Sequence, residues 1–267
     1  MRISIRHELA IHAPPGTSNL VLQVLLTPSR GPTQDVIDWK VDMAGMDDAA
    51  RFTDAYGNSM LLVNQLRPEG ELPIVVTGHI ETKDKSGVLG KSHKEPVPAL
   101  YKRVTPLTKG ASSIYGKFRG SKESRLSILH GLMGRVGEVI GGQENTQSQS
   151  ADASAQAQSQ SSQVRTQPPA SEYAHSFVGA CRALHIPARY VTGYLFDAPE
   201  GVSAFHAWAE AFDDKLGWIG FDPMLNLCPT DRHIRLAAGL DSFSAQPLKM
   251  VPVGNGAVHL LVDVKAT

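Results

Sequence analysis

The sequence predicts an α+β chain, with a β-sandwich-like domain over residues 1–100 and an α/β domain with an antiparallel sheet over residues 101–267. Three observations predict it. The first hundred residues hold β-branched, alternating runs separated by turn signals, with almost no helical periodicity. Two later segments, 126–140 and 171–185, repeat apolar residues at helical spacing. Strand-like runs then return at 189–195, 204–212, 217–221 and 258–264.

In chain order, Ile3, Ile5 and His7 alternate with Arg2, Ser4 and Arg6. Asn19–Thr27 and Val36–Asp42 are further strand candidates. Tyr56-Gly57-Asn58-Ser59 is a turn signal, and Met60–Val63 follows it. Ile74–Thr82 is rich in β-branched residues, which suit a pleated, half-buried surface. Leu126, Leu129, Leu132, Met133, Val136, Val139 and Ile140 then mark a helix. In the second helical segment Tyr173, Ala174, Phe177, Val178, Cys181 and Leu184 form an apolar stripe, and Ile186-Pro187 ends it.

Between these helices lies a stretch of another character. Residues 143–167 contain eight Gln and six Ser, and Val164 is their one large apolar residue. Such a segment buries too little apolar surface to offset the entropy of ordering its chain. A flexible segment over 143–169 is expected, with a little helix around 151–157 and a stop at Pro168-Pro169.

Composition excludes several function classes. Lys plus Arg is 26 and Asp plus Glu is 26, so no general basic excess exists to neutralise phosphates. Residues 91–135 alone carry a net +8, which is expected to be a solvated helical face paired with acids elsewhere. Nucleic acid is the least favoured partner. The two cysteines make no disulfide framework, and no HxxxH or CxxC pair suggests a metal. No cofactor is expected. The apolar run Leu20–Leu26 is far short of the ~20 residues of a membrane span. Met1–Ala10 has no signal-peptide core. The expected compartment is the cytoplasm, with no membrane partner.

Three strings carry the chemistry. One runs from Ala174-His175 through Cys181 to Gly193-Tyr194; the second is Phe205-His206-Ala207-Trp208-Ala209-Glu210; the third is Gly217-Trp218-Ile219-Gly220-Phe221-Asp222-Pro223. In order and spacing they resemble the transglutaminase-like superfamily of cysteine proteases and acyl-transferases. Cys228-Pro229-Thr230-Asp231 and Gly239-Leu240-Asp241 resemble its bacterial branch. Trp39, Gly57-Asn58 and Gly78-His79-Ile80-Glu81-Thr82 resemble the N-terminal β domain of that branch. The resemblance implies a papain-like fold for the second domain and a Cys–His–Asp triad, with a peptide or protein ligand.

The residues support two members of such a triad. His206, Trp208 and Glu210 share one strand face by alternation, and Asp222 shares a face with Trp218 and Gly220. A hairpin at Asp213-Asp214-Lys215 would make the two strands antiparallel neighbours and pair His206 with Asp222. Trp208 and Ser171 are the cleft candidates.

The nucleophile breaks the pattern. Aligning the family's Ala-His on Ala174-His175 puts its cysteine position at Ala170, which has no nucleophilic atom. Cys181 lies eleven residues along, ~16 Å down a helix axis, and among Phe177, Val178 and Leu184 it should be a buried thiol. Ser171 is adjacent but rotated by about 100°. Cys228 is expected to be structural. Pro168-Pro169 and the low-complexity run beside Ala170 point to a loss spread over the whole loop. The expectation is a catalytically silent member that binds a peptide or protein or assembles with an active relative. The alternative is an active peptidase or acyl-transferase with a displaced nucleophile, acting on amide or isopeptide bonds.

Overall fold

The computed structural model describes residues 1–91, 95–150, 168–255 and 257–267. The first third forms β1 (Arg2–His12), β2 (Asn19–Thr27), β3 (Gln34–Asp42), β4 (Ala50–Thr53), β5 (Ser59–Leu66) and β6 (Glu71–Thr82). The middle holds β7 (Val88–Gly90), α1 (Ser112–Tyr115), α2 (Arg125–Ser150) and α3 (Ala170–Ala183). The rest is β8 (Ala188–Leu195), β9 (Phe205–Asp213), β10 (Gly217–Phe221), β11 (His233–Gly239), β12 (Leu248–Val251) and β13 (Val258–Ala266).

The strands make three antiparallel sheets, ordered β13-β1-β6-β3, β12-β2-β5-β4 and β11-β8-β9-β10-β7. The first two enclose one core. Alternation sends Ile3, Ile5, Leu9 and Ile11 of β1 inward, to meet Leu20, Leu22, Val24 and Leu26 of β2. Trp39 on β3 crosses to this layer and donates its indole N–H to the Leu26 carbonyl at 2.8 Å. The third sheet carries α2 and α3 over a second core of Phe177, Val178, Cys181, Ala209, Ala211 and Phe221. β8, between β11 and the central β9, is buried along its whole length. Polar seams join the layers. The Asn58 side chain exchanges hydrogen bonds with both backbone groups of Ala238 on β11, and Gln34 bonds both backbone groups of Arg235.

α3 is held at both ends. Its first turn starts after Pro169, which fixes the backbone and offers no side-chain cap. Near its last turn the buried Arg182 guanidinium donates to the Tyr101, Ala188 and Leu240 carbonyls and to the Thr108 hydroxyl. A Cβ on Gly179 would meet the Thr108 carbonyl at 2.9 Å, so glycine there permits the close approach of the 106–110 segment.

Several expectations change. α2 runs through Gln143–Ser150, where a flexible segment was expected. Gln and Glu are good helix formers, and extending a nucleated helix costs little. The little helix expected around 151–157 lies outside the described residues. β4, β7, β11 and β12 were not anticipated; β4 and β7 are very short. The last two strands also return to the first two sheets: β12 pairs with β2, and β13 with β1. A cut at residue 100 therefore separates strands that hydrogen-bond to one another. Of the basic 91–135 segment, Arg125 pairs with Asp214 at 2.7 Å and Arg135 with Glu138 at 2.8 Å. No helix among the described residues is long and apolar enough to cross a membrane.

Candidate functional site

β9 and β10 are joined through a turn in which the Asp213 carboxylate accepts from the Lys215 and Leu216 amides. Their register pairs Phe221 with Ala209 and Gly220 with Glu210. Asp222, one residue beyond, reaches His206: the two side chains, both fully buried, meet at 2.7 Å from His206 Nε2 to Asp222 Oδ2. The pair expected from strand alternation is present.

Asp222 has a further partner that the sequence did not suggest. His233, at the start of β11, lies 3.2 Å away from the same Oδ2 through its Nε2. Its Nδ1 accepts the Thr230 amide, so its Nε2 is the donating nitrogen. The other carboxylate oxygen accepts the Met224 and Leu225 amides, both at 3.2 Å. Burial alone would raise the Asp222 pKa, but hydrogen bonds from His206 and His233 outweigh it and hold the carboxyl down at about 2. The anion can only accept, so His206 Nε2 carries a proton. His206, Asp222 and His233 bring one ligand-type atom each within 4.8 Å of one another. Each imidazole lies at hydrogen-bond distance from the carboxylate and spends its proton on it.

The opposite ring nitrogen is different. His206 Nδ1 is buried and has no hydrogen-bond partner among the described residues. His206 borders a cleft of about 640 Å³ formed also by Pro168, Pro169, Ala170 and Ser171 from the start of α3. Tyr190 and Thr192 on β8 and Phe205 on β9 form other parts of its wall. The 241–247 loop closes a further side with Ser242, Phe243, Gln246 and Pro247. His175 fixes that loop: its ring stacks on Tyr190 and its Nε2 accepts the Ser242 amide at 3.0 Å.

Ala170, Ser171 and His206 thus share the cleft, with Asp222 directly behind His206. Trp208 does not line it. Although on the same face as His206, it is 2% exposed and packs edge-on against His233 at 5.4 Å between ring centroids. A Cβ on Gly193 would meet its ring at 2.5 Å, so β8 covers it closely. Cys181 is fully buried in the helix–sheet core, and burial drives its thiol pKa far up. Cys228 is half-buried and its thiol pKa is also raised by burial. On the same sheet face, the buried Arg189 bridges Glu210 and Glu95 and lies 4.1 Å from the Trp218 ring centre.

Residues 3–81 match the bacterial transglutaminase-like N-terminal region, and residues 140–223 match the transglutaminase-like superfamily core. The second match spans Ala170, His206 and Asp222. An uncharacterized protein of Mycobacterium leprae (strain TN) is 23% identical over 289 residues, covering 100% of this chain and 98% of that protein. A candidate cysteine protease from Cytophaga hutchinsonii shares the fold at a TM-score of 0.61 and 19% identity, covering 99% of this chain and 89% of the other. The periplasmic domain of TgpA from Pseudomonas aeruginosa aligns over 84% of this chain and 87% of its own at 15% identity, but with a TM-score of only 0.21.

Proposed function

Because the chain belongs to the transglutaminase-like superfamily, we propose that it is a member without cysteine-type catalysis, whose cleft binds a peptide or protein segment. In this reading the second half is papain-like in its working parts: a helix start for the nucleophile, one strand for the His and the next for the Asp. The single observation that carries the proposal is the pairing of Ala170 with an unpartnered His206 Nδ1 in one cleft.

The physical logic is direct. In a cysteine enzyme the helix start lowers the thiol pKa, the imidazole takes the thiol proton, and the carboxylate orients the imidazole. In this reading Asp222 is the orienting part and His206, with its unpaired Nδ1, the proton-accepting part. The first helical position offers only a methyl group, which can neither lose a proton nor form an acyl bond.

A reactive-thiol probe on the wild type and on Ala170→Cys, both carrying Cys228→Ser to remove the half-buried thiol, tests this. Rapid labelling only after Ala170→Cys, slowed by His206→Ala, is the expected outcome. Amide hydrolysis or transfer by the wild type, lost on His206→Ala, would overturn the proposal. That second result would favour an active enzyme using Ser171, which lines the same cleft. Ser171→Ala would then abolish the rate.

A further inference from the structure

The cleft has an apolar body and one polar end. Leu107, Val202, Phe205, Met224, Phe243 and Pro247 supply hydrocarbon, and no Asp, Glu, Lys or Arg among the described residues lines it. Phe243 sits at the rim, 67% exposed.

At the polar end two features converge. The first turn of α3 opens on this space without a side-chain cap, so the positive end of a fourteen-residue helix faces it. His206 borders the same space; its side chain is fully buried and its Nδ1 is unpaired. A buried polar atom without a partner carries an uncompensated desolvation cost, so a ligand that completes it gains from doing so. Ala170, at the first position of α3, brings only a methyl group to this end of the cleft.

We propose that this end of the cleft holds the carboxylate of an apolar acid, from the free C-terminus of a polypeptide ending in an apolar residue or from an aliphatic carboxylic acid. The inference rests on the reading that no nucleophile occupies position 170. One carboxylate oxygen accepts from the amides at the start of α3. The other accepts from His206 Nδ1–H. His206 already gives its Nε2 proton to Asp222, so donation from Nδ1 needs a second ring proton, supplied by solvent. The ionised Asp222 balances the resulting imidazolium, and His233, which also donates to Asp222, stays neutral. Tyr190, on β8, is the other titratable side chain in the cleft wall, and burial raises its pKa and keeps it uncharged. The hydrocarbon tail of the ligand lies along Phe205, Met224 and Phe243, where an uncharged lining suits it.

Calorimetric titration of the full chain tests this with N-acetyl-Leu-Leu-Phe as the free acid, the same peptide as its C-terminal amide, octanoate, and acetate. The acid is expected to bind with a measurable heat. The amide is expected to bind at least about tenfold more weakly, and acetate, lacking the tail, not measurably. Octanoate matching the peptide would identify an aliphatic acid as sufficient; peptide binding without octanoate binding would identify a chain terminus. Phe243→Ala should weaken every ligand that binds. His206→Ala should remove the preference for acid over amide. Ala170→Asp, which places a negative charge at the helix start without touching His206, should abolish acid binding even where His206→Ala fails to fold. Equal binding of acid and amide, or no binding of either long acid, would overturn the inference. The thiol-probe experiment on Ala170→Cys decides the underlying reading separately.

Discussion

Asp222 accepts four hydrogen bonds while fully buried, and each of them must be matched by a donor that has no water to fall back on. Its carboxyl is held at about 2 against an ordinary 3.8, so its ionised form stabilises the fold. That contribution is complete above the unfolded pKa and is lost as pH falls from about 4 towards 2. Asp222→Ala strands two imidazole donors and two backbone amides. It is expected to cost about 3–5 kcal/mol at neutral pH, the usual scale for breaking one side of a buried pair. Chemical denaturation of the variant should show this as a lower midpoint with an unchanged slope; a loss under about 1 kcal/mol would mean that the cluster is not held together as described. At this scale the sequence was informative where alternation and turns decide geometry. His206 and Asp222 were legible because a short hairpin fixes the register of their strands. His233 was not, because the isolated His has no partner at helix or strand spacing and reaches Asp222 only through the fold. Trp208 was misplaced because alternation identifies a face and not what covers it.

Elements meet across seams where titratable groups are trapped, and the seam of β1 and β13 with β8 and β9 is one. His7 on β1 is fully buried, 3.0 Å from the Tyr194 hydroxyl on β8 and 2.8 Å from His259 on β13. His259 stacks over the His7 ring, and Phe205 of β9 packs against both. Burial first, and the neighbouring His259 second, lower the His7 pKa to about 3. The folded state thus keeps His7 neutral where the unfolded chain protonates it. Stability should be insensitive to this group above about pH 6.5 and should fall below that pH, by up to ~1.4 kcal/mol per pH unit, until the folded pKa is reached. A melting-temperature profile between pH 7 and 4.5 should be flatter for His7→Gln than for the wild type. Parallel profiles would show that the seam does not hold its histidine neutral. Helices and strands with a sustained period were legible at this scale, α3 and β2 almost to the residue. β4 and β7, of four and three residues, are too short for any period to register. β11 was hidden differently: buried along most of its length, His-Ile-Arg-Leu-Ala-Ala-Gly has no clear alternation.

For the whole molecule, the decisive feature is that the chain ends where it began. β12 lies beside β2 and β13 beside β1, while β7, from the first hundred residues, completes the edge of the five-stranded sheet at β10. The order of elements along the sequence suggested two consecutive domains, because linear composition shifts mark where strands occur and not which strands pair. The cleft depends on this closure. Its outer wall is the 241–247 loop, which leads directly into β12, so the wall is anchored through a sheet whose other strands come from the N-terminal third. Neither fragment 1–100 nor fragment 101–267 should then fold alone. The first lacks the partners of β1 and β2 at one edge of each sheet. The second leaves β12 and β13 with no strand to pair. Far-ultraviolet circular dichroism and amide proton dispersion should show each fragment largely unfolded, and mixing or co-expressing the two should restore a native spectrum. Restoration should also return the thiol reactivity of an Ala170→Cys fragment, because the cleft forms only when the last two strands are seated. A stably folded fragment 101–267 would show instead that the cleft-bearing half is autonomous and that the strand exchange is an embellishment of two independent domains.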